Sequence, residues 1–356
     1  MMRPIDRVVI ASFLFLLCAG LMAQAGDDRV GVVATLPNLG SIALEIAGER
    51  IRLTTFASAI QDAHFVDPKP SYIVKLRKSR LLLVNGLDLE IGWVPLLAQG
   101  ARTNRFLPGG SGYVDCSTGI NVIEVPAVLT RAEGDVHPYG NPHYLTDPLN
   151  AANVAGTISA ALARADPGSA ELYEEGRRRF VTRLHEAMFG KDLSDLVGGS
   201  KLAREAANGT LDAFLETTVI SGSPLQDRLG GWLGRMRDVR NRAVITYHKD
   251  MSYFANRFGI QVIDYVEPKP GIQPSARHIE DLVGRLERGE ARVILTRPFV
   301  EHRSTEYLAK RTGATVITLP LEVGGVREAV DYIGLINHVI GRIHSALTAA
   351  DAKGDG

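Results

Sequence analysis

Cysteine is nearly absent from this sequence, whose 356 residues include only Cys18 and Cys116. Cys18 lies in an N-terminal segment with the features of a cleaved leader, so Cys116 would remain alone in the mature chain. A single cysteine excludes both an intrachain disulfide and a cysteine-rich zinc motif. Leu17 is a poor residue before a lipidated cysteine, so lipidation of Cys18 is not expected.

An excess of charge of either sign is also lacking. Lysine plus arginine and aspartate plus glutamate each number 40, so the formal net charge is zero. A nucleic-acid-binding protein would need a clustered basic excess, so we expect no nucleic-acid partner. The signatures HExxH, GxSxG, GxGxxG and the P-loop are missing as well. The sequence therefore predicts that the protein is not an enzyme.

Long apolar runs are missing everywhere except at the N-terminus. Residues 8–22 are almost wholly apolar, follow Arg3 and Arg7, and precede the small-residue segment 23–25. A basic start, an apolar core of ~15 residues and a small-residue cleavage site are typical of a secretory signal peptide. We predict that residues 1–25 are such a peptide and that the mature protein is exported. An uncleaved N-terminal anchor is the alternative.

Short β-branched runs alternate with helical stretches in both halves of the remaining chain. This alternation is typical of βαβ units, in which the strands are parallel. Strands are predicted at residues 30–35, 52–56, 81–84, 243–247, 259–266, 292–296 and 315–319. Helices are predicted at residues 39–47, 71–79, 147–164, 170–188, 251–258, 275–288, 304–312 and 330–349. The predicted fold class is α/β, with two α/β lobes that contain parallel sheets and are joined by a long helical connector.

The domain organisation follows from this pattern. We predict an N-terminal lobe at residues 26–165, a connecting helix at 166–190 and a C-terminal lobe at 239–356. The connector is assigned because its charged residues recur at helical spacing. Between the connector and the second lobe, residues 191–238 are rich in glycine and are predicted to form an insertion of short helices and loops.

Three histidines lie at the ends of predicted strands or in the loops just after them: His64, His143 and His248. In open α/β sheets this edge is where ligands bind. Neutral imidazole is a good ligand for Zn²⁺, Cu²⁺, Ni²⁺ and iron, and a poor match for Ca²⁺ or Mg²⁺. Each histidine alone is weak evidence, but together they form a candidate transition-metal site.

The residues that flank these histidines occur in a distinctive order. They are Ala63-His64 with Asp67-Pro68-Lys69-Pro70-Ser71, Asn141-Pro142-His143 with Asp147-Pro148, and Tyr247-His248 with Tyr253-Phe254-Ala255. Over about residues 30–349 the chain resembles the zinc/manganese class of ABC-transporter substrate-binding proteins. The resemblance implies a rigid connecting helix and one metal in the interlobe cleft. It also implies that His64, His143 and His248 are the first three ligands.

The fourth ligand is where this sequence departs from the family. The resemblance implies an aspartate after the last strand of the second lobe, but Glu322 is the nearest carboxylate here, and we predict it as the fourth ligand. Glu267, Glu301 and water are the alternatives. Three nitrogens and one oxygen favour Zn²⁺, with Mn²⁺ or another divalent transition metal as alternatives. His137, six residues before His143, is an auxiliary ligand, a carrier of metal to the site or a plain loop residue.

The functional prediction combines these observations. We expect a monomeric periplasmic protein that captures a divalent transition metal, zinc first, and delivers it to the ABC transporter permease in the inner membrane. A zinc-dependent hydrolase that uses the same histidines is one alternative, but no spacing in the sequence demands the general base that it would need. A metal-binding surface adhesin is the other, and no repeat or aromatic stripe argues for it.

Overall fold

The computed structural model describes residues 28–127, 137–220, 222–269 and 271–352. The predicted signal peptide lies outside the described residues. Within the described ranges, no helix combines the length and the apolar character that crossing a bilayer requires. The architecture confirms the predicted α/β class, because two separate parallel sheets are each flanked by helices.

The first lobe is built on a four-stranded parallel sheet with the strand order β2-β1-β3-β4. Its strands are β1 (Val30–Ala34), β2 (Ile51–Thr55), β3 (Leu81–Val84) and β4 (Tyr113–Asp115). The two central strands, β1 and β3, are buried along their whole length, which explains why they consist almost entirely of valine, leucine and alanine.

The second lobe repeats this topology. Its sheet contains β7 (Ala243–Thr246), β8 (Gln261–Tyr265), β9 (Val293–Thr296) and β10 (Thr315–Thr318), in the spatial order β10-β9-β7-β8. In both sheets the first strand lies between the second and the third. The chain therefore leaves the first strand in opposite directions, and a crevice opens at the carboxyl ends of the strands.

The helices cover both sheets and fill the region between them. They are α1 (Pro37–Ala47), α2 (Pro70–Arg77), α3 (Val94–Gly100), α4 (Pro148–Ala165), α5 (Ala170–Phe189), α6 (Lys191–Val197), α7 (Gly199–Ala207), α8 (Leu211–Thr217), α9 (Gly231–Arg235), α10 (Ser252–Phe258), α11 (Ala276–Glu287), α12 (Arg303–Thr312) and α13 (Tyr332–Ala352). Proline occupies the first turn of α1 to α4. Its fixed backbone angle is already helical, so each of these helices begins at a defined residue.

The long helix α5 lies where the connector is predicted. It packs against α1 and α4 of the first lobe and against α9, which in turn contacts α13. The segment that follows contains α6 to α9 and a short antiparallel pair, β5 (Val219–Ile220) with β6 (Ser223–Pro224). The domain boundaries themselves stay predictions, but these elements agree with an insertion of short helices and loops.

Two elements of the first lobe are absent from the sequence prediction. β4 has only three residues, too few for an alternating pattern to stand out, and α3 has seven. The sheet of the first lobe consequently has one strand more than the sequence predicts. This strand matters for the site, because the loop after β4 carries His137 and His143.

The lobes share a continuous apolar core and are also joined by hydrogen bonds. Asn38 at the start of α1 donates its side-chain amide to Leu321 O at 2.7 Å and accepts from Val323 N at 2.9 Å. Arg257 of α10 forms a bidentate ion pair with Asp147, the residue that caps the N-terminus of α4. These contacts fix the distance between the two carboxyl edges, which face each other across a cleft.

Candidate metal centre

The cleft between the lobes is a cavity of about 390 Å³ lined by loops from both carboxyl edges. Its walls include His64 and His143 from the first lobe, and His248 from the second. The ring centroids of these three histidines are 5.4 to 5.7 Å apart. The structure therefore brings together the three residues that the sequence predicts as ligands, although ligation itself stays a prediction.

His64 is positioned by the loop between β2 and α2. Asp62 Oδ1 accepts from the backbone N–H of His64 at 3.0 Å and lies 2.7 Å from its Nδ1. An ionised carboxylate only accepts, so Nδ1 carries the proton and Nε2 keeps its lone pair. Trp93 Nε1 holds the same loop by donating to Ala63 O. Burial would raise the pKa of Asp62, but the hydrogen bonds and charge of His64 lower it below its ordinary value.

His143 stands at the start of a short 3₁₀ turn, Tyr144–Thr146, just before α4. Its backbone N–H donates to Asn141 Oδ1 at 2.9 Å, and its carbonyl accepts from Thr146 Oγ1 at 2.9 Å. Its Nε2 is buried and has no hydrogen-bond partner. A buried polar atom without a partner costs about 1–3 kcal/mol, so this nitrogen fits a position that a ligand would satisfy.

His248 follows β7 directly and is the ligand candidate from the second lobe. Its Nδ1 lies 3.0 Å from Glu267 Oε2, which fixes the proton on Nδ1 and leaves Nε2 free. The Thr246 hydroxyl donates to the His248 carbonyl at 2.8 Å and holds the backbone. Burial would lower the pKa of His248, but Glu267 together with Asp250 and Asp62 raises it above the ordinary value.

His137 is the fourth imidazole of the cluster. Its Nε2 is 3.0 Å from His64 Nε2. The ligand atoms of His64, His137 and His143 all lie within 4.8 Å of one another. Burial, followed by the charges of His64 and His248, lowers the pKa of His137 to about 3. Burial and the same neighbours lower the pKa of His143 well below its usual range. Both imidazoles are therefore neutral near pH 7, which is the form that binds metal.

The candidate carboxylates occupy different positions in the cleft. Glu267 contacts His248 through one oxygen and accepts from Gly271 N through the other. Glu301 accepts from Arg303 N and is exposed. Glu322 is half-buried, and its Oε2 accepts from the backbone N–H of Asn38 at 2.9 Å. Burial raises the pKa of Glu322 to about 8.

Two features of the site have no counterpart in the sequence analysis. The first is Asp62, whose position two residues before His64 is the spacing of a local side-chain-to-backbone turn. The second is a buried ion pair in the cleft wall, in which Arg297 donates to both oxygens of Asp250 at 2.6 Å. This pair balances the charge of the arginine, so the cleft does not present an uncompensated cation to an entering metal ion.

The arrangement as a whole suits a divalent transition metal. Imidazole rings from three loops converge, and two of the rings are oriented by carboxylates that accept their Nδ1–H groups. Nitrogen-rich surroundings of this kind favour Zn²⁺, Cu²⁺ or Ni²⁺ over Mn²⁺.

Comparison with known proteins agrees with this description. Residues 32–188 and 229–346 match the family described as zinc-uptake complex component A, periplasmic (ZnuA). The manganese ABC transporter substrate-binding lipoprotein PsaA of Streptococcus pneumoniae is 26% identical over 179 residues, which are 49% of this chain and 55% of that protein. The iron ABC transporter substrate-binding lipoprotein MtsA of Streptococcus pyogenes is 22% identical over 311 residues, which are 86% of this chain and 84% of that protein.

The fold comparison agrees as well. A crystal structure of a ZnuA deletion mutant with zinc bound superimposes with a TM-score of 0.65 at 20% identity, covering 90% of this chain and 98% of that chain. At this identity the likeness shows the fold. The chain spans about half the length of several of the streptococcal and lactococcal relatives that it matches.

Proposed function

Because this chain belongs to the periplasmic zinc-uptake complex component A family, we propose that it captures a divalent transition metal, zinc first, and delivers it to an ABC importer. The observation that carries the proposal is the convergence of His64, His143 and His248 in the interlobe cleft, with the Nε2 of His143 buried and unpartnered. His64, His143 and His248 are the proposed ligands, and Glu322 is the carboxylate that the sequence predicts beside them.

The choice of zinc is the more specific part of this proposal, since the relatives are named for different metals. PsaA is named for manganese and MtsA for iron, whereas the family description names zinc. The case for zinc rests on the donor set, because imidazoles outnumber carboxylate oxygens around the centre of the cluster. Manganese prefers a site that is richer in oxygen.

The proposed partners and location follow from the family. We propose that the mature protein acts as a periplasmic monomer that docks on the permease of an ABC importer. The relatives named here are substrate-binding proteins of transporters, and this chain is a binding protein rather than an enzyme. The zinc-dependent hydrolase is therefore set aside. Several relatives are lipoproteins, while the predicted leader of this chain, with Cys18, lies outside the described residues.

The experiment that tests the proposal measures metal content and Zn²⁺ affinity of the mature protein. Wild type is compared with His64→Ala, His143→Ala and His248→Ala, and His302→Ala serves as a control histidine outside the cluster. We expect one tight equivalent of zinc in the wild type and the control, and a strong loss of affinity in each of the three variants. Absence of tight metal binding, or full affinity in all variants, would refute the site.

Delivery is tested separately from binding. The zinc-loaded protein should bind the permease reconstituted in nanodiscs and support ATP-dependent zinc uptake when the complete importer is placed in liposomes. If the protein adhered to cell surfaces but did not bind the permease, the result would favour the metal-binding surface adhesin instead.

A further inference from the structure

His137 lies beside His64 and His143 in the cleft, where a fourth ligand is needed. Its Nε2 lies 3.0 Å from the Nε2 of His64, and one ring nitrogen from each of His64, His137 and His143 lies within 4.8 Å of the other two. His248 lies outside this set of three, with its ring centroid 5.7 Å from that of His64 and 5.5 Å from that of His143. Two nitrogens bound to one tetrahedral zinc at about 2.0–2.1 Å are themselves about 3.3 Å apart. We propose, resting on the proposed function, that His137 is the fourth ligand and that the metal is held by four imidazoles.

The hydrogen bonds of the cluster agree with this assignment. Asp62 accepts a hydrogen bond from the Nδ1–H of His64, so His64 Nε2 keeps its lone pair, and this nitrogen faces Nε2 of His137. Without metal, His137 can donate its Nε2 proton to that lone pair. When a metal ion enters, it takes the lone pair of His64, and His137 binds through Nε2 once its proton has moved to Nδ1. The unpartnered Nε2 of His143 completes the first-lobe side of the site.

Charge balance removes the need for a carboxylate ligand. Four neutral imidazoles leave the two positive charges of the ion uncompensated inside the coordination sphere. Asp62 and Glu267 each accept a hydrogen bond from one of the ligand rings, so two negative charges lie just outside it. The other cation in the cleft wall, Arg297, is already paired with Asp250. The ion and its surroundings are therefore close to neutral without a carboxylate among the ligands.

Glu322 has a different role under this proposal. One of its carboxylate oxygens accepts from the backbone N–H of Asn38, and the Asn38 side chain is bonded to the residues on both sides of Glu322. These contacts join the start of α1 to the loop after β10. Glu322 is thus a positioning residue that ties the lobes together, in place of the ligand role that the sequence predicts for it.

The four-imidazole site divides unequally between the lobes. His64, His137 and His143 all belong to the first lobe, and His248 alone comes from the second. The first lobe therefore supplies three of the four proposed ligands by itself. An all-nitrogen site also disfavours Mn²⁺ more strongly than a site with one carboxylate would.

X-ray absorption spectroscopy of the full mature chain loaded with one equivalent of Zn²⁺ tests this proposal, because multiple scattering from the rings counts imidazole ligands. We expect four imidazoles in the wild type, and three imidazoles plus one oxygen in His137→Ala. The zinc affinity of His137→Ala should fall at least ~10-fold, since even loss of an outer partner costs about 10- to 100-fold. Glu322→Gln and the control His302→Ala should both keep four imidazoles.

A second variant separates ligation from hydrogen bonding. In His137→Gln the amide can still donate to His64 Nε2, but it replaces the imidazole, so we expect three imidazoles and reduced affinity. Recovery of wild-type affinity by glutamine, or three imidazoles and an oxygen in the wild type, would overturn the assignment of His137 while leaving the proposed function intact. A wild-type protein that binds no zinc would instead refute the proposed function itself.

Discussion

Two of the cleft histidines are oriented by carboxylates that lie outside the cluster. Asp62 holds His64 from within the same loop, whereas Glu267 reaches His248 from the loop after the neighbouring strand β8. In each pair the carboxylate fixes which ring nitrogen carries the proton. The nitrogen that faces the cleft is thereby prepared as a ligand before any metal arrives, and less reorganisation is needed on binding.

Removing one of these carboxylates should weaken metal binding without removing a ligand. We predict that Glu267→Gln lowers zinc affinity at pH 8 by about 10- to 100-fold, because the amide fixes the ring of His248 less firmly than the carboxylate does. Isothermal titration with a competing chelator measures the change. Glu301→Gln is the matched control, since Glu301 lines the same cleft but accepts from Arg303 N. Equal effects of the two substitutions would contradict the role given to Glu267.

Zinc affinity should also depend on pH through His248. Burial would lower its pKa, but Glu267, Asp250 and Asp62 raise it above 6.5, whereas the pKa values of His137 and His143 are lowered. Below the raised pKa a proton must leave His248 for each metal bound. We therefore predict that affinity is constant at high pH and falls by roughly tenfold per unit as the pH drops below that value.

The same measurement in Glu267→Gln provides the control for this assignment. Loss of the glutamate removes the largest contribution that raises the pKa of His248, so the onset of the decline should move to lower pH. A wild-type affinity that stays flat between about pH 5 and 8 would show that no histidine in this range competes with the metal.

At the scale of helices, the contact between α5 and α1 depends on a glycine. A Cβ atom added to Gly176 in α5 would lie 1.9 Å from the carbonyl oxygen of Ile46 in α1. Glycine is normally unfavourable inside a helix, so its presence here is explained by the close approach of the two backbones. The long helix α5 therefore packs directly against α1 of the first lobe.

Replacing this glycine should separate the helices. We predict that Gly176→Ala lowers the free energy of unfolding by at least about 2 kcal/mol, because the added methyl overlaps a backbone atom that cannot rotate away. Gly156→Ala in α4 is the matched control, since a Cβ there meets open space. The control should raise stability by about 0.5–1 kcal/mol through helix propensity alone. Urea unfolding of both metal-free variants tests this, and a neutral Gly176→Ala would refute the close contact.

At the scale of the whole molecule, the two lobes behave as one packed body. They share an apolar core, and hydrogen bonds from Asn38 of α1 and from Tyr253 and Arg257 of α10 join a helix of each lobe to the other lobe. The helix α5 adds a stiff element along the first lobe and contacts α9. Opening the cleft widely would expose apolar surface and break these bonds.

We therefore predict limited lobe closure on metal binding. Small-angle scattering curves of the metal-free and zinc-loaded protein should superimpose within experimental error, because most interlobe contacts are already made. A Tyr253→Phe variant, which loses the hydroxyl that donates to Asn141 O, tests whether this bond contributes to the rigidity. A large compaction of the wild type with zinc would contradict the prediction.

The sequence by itself determined the α/β class and most of the elements. Buried parallel strands are short runs of β-branched or aliphatic residues, and proline marks the first turn of several helices, so β1, β3, α1, α2 and α4 could be located closely. The positions of His64 and His248 after strands were also visible, since the carboxyl edge follows from chain direction, whereas the strand before His143 was not predicted. The short elements β4 and α3 were not predicted, because three to seven residues carry too little periodic signal.

Only the tertiary structure decided which groups meet in the cleft. His64 and His137 are 73 residues apart in the chain, yet their Nε2 atoms are 3.0 Å apart. Glu267 pairs with His248, while Glu322 is bonded to Asn38 across the lobes. Sequence patterns report whether a residue faces a core, because burial repeats with the period of a helix or strand. Distances between loops are set instead by how the sheets and helices pack, and no local pattern encodes them.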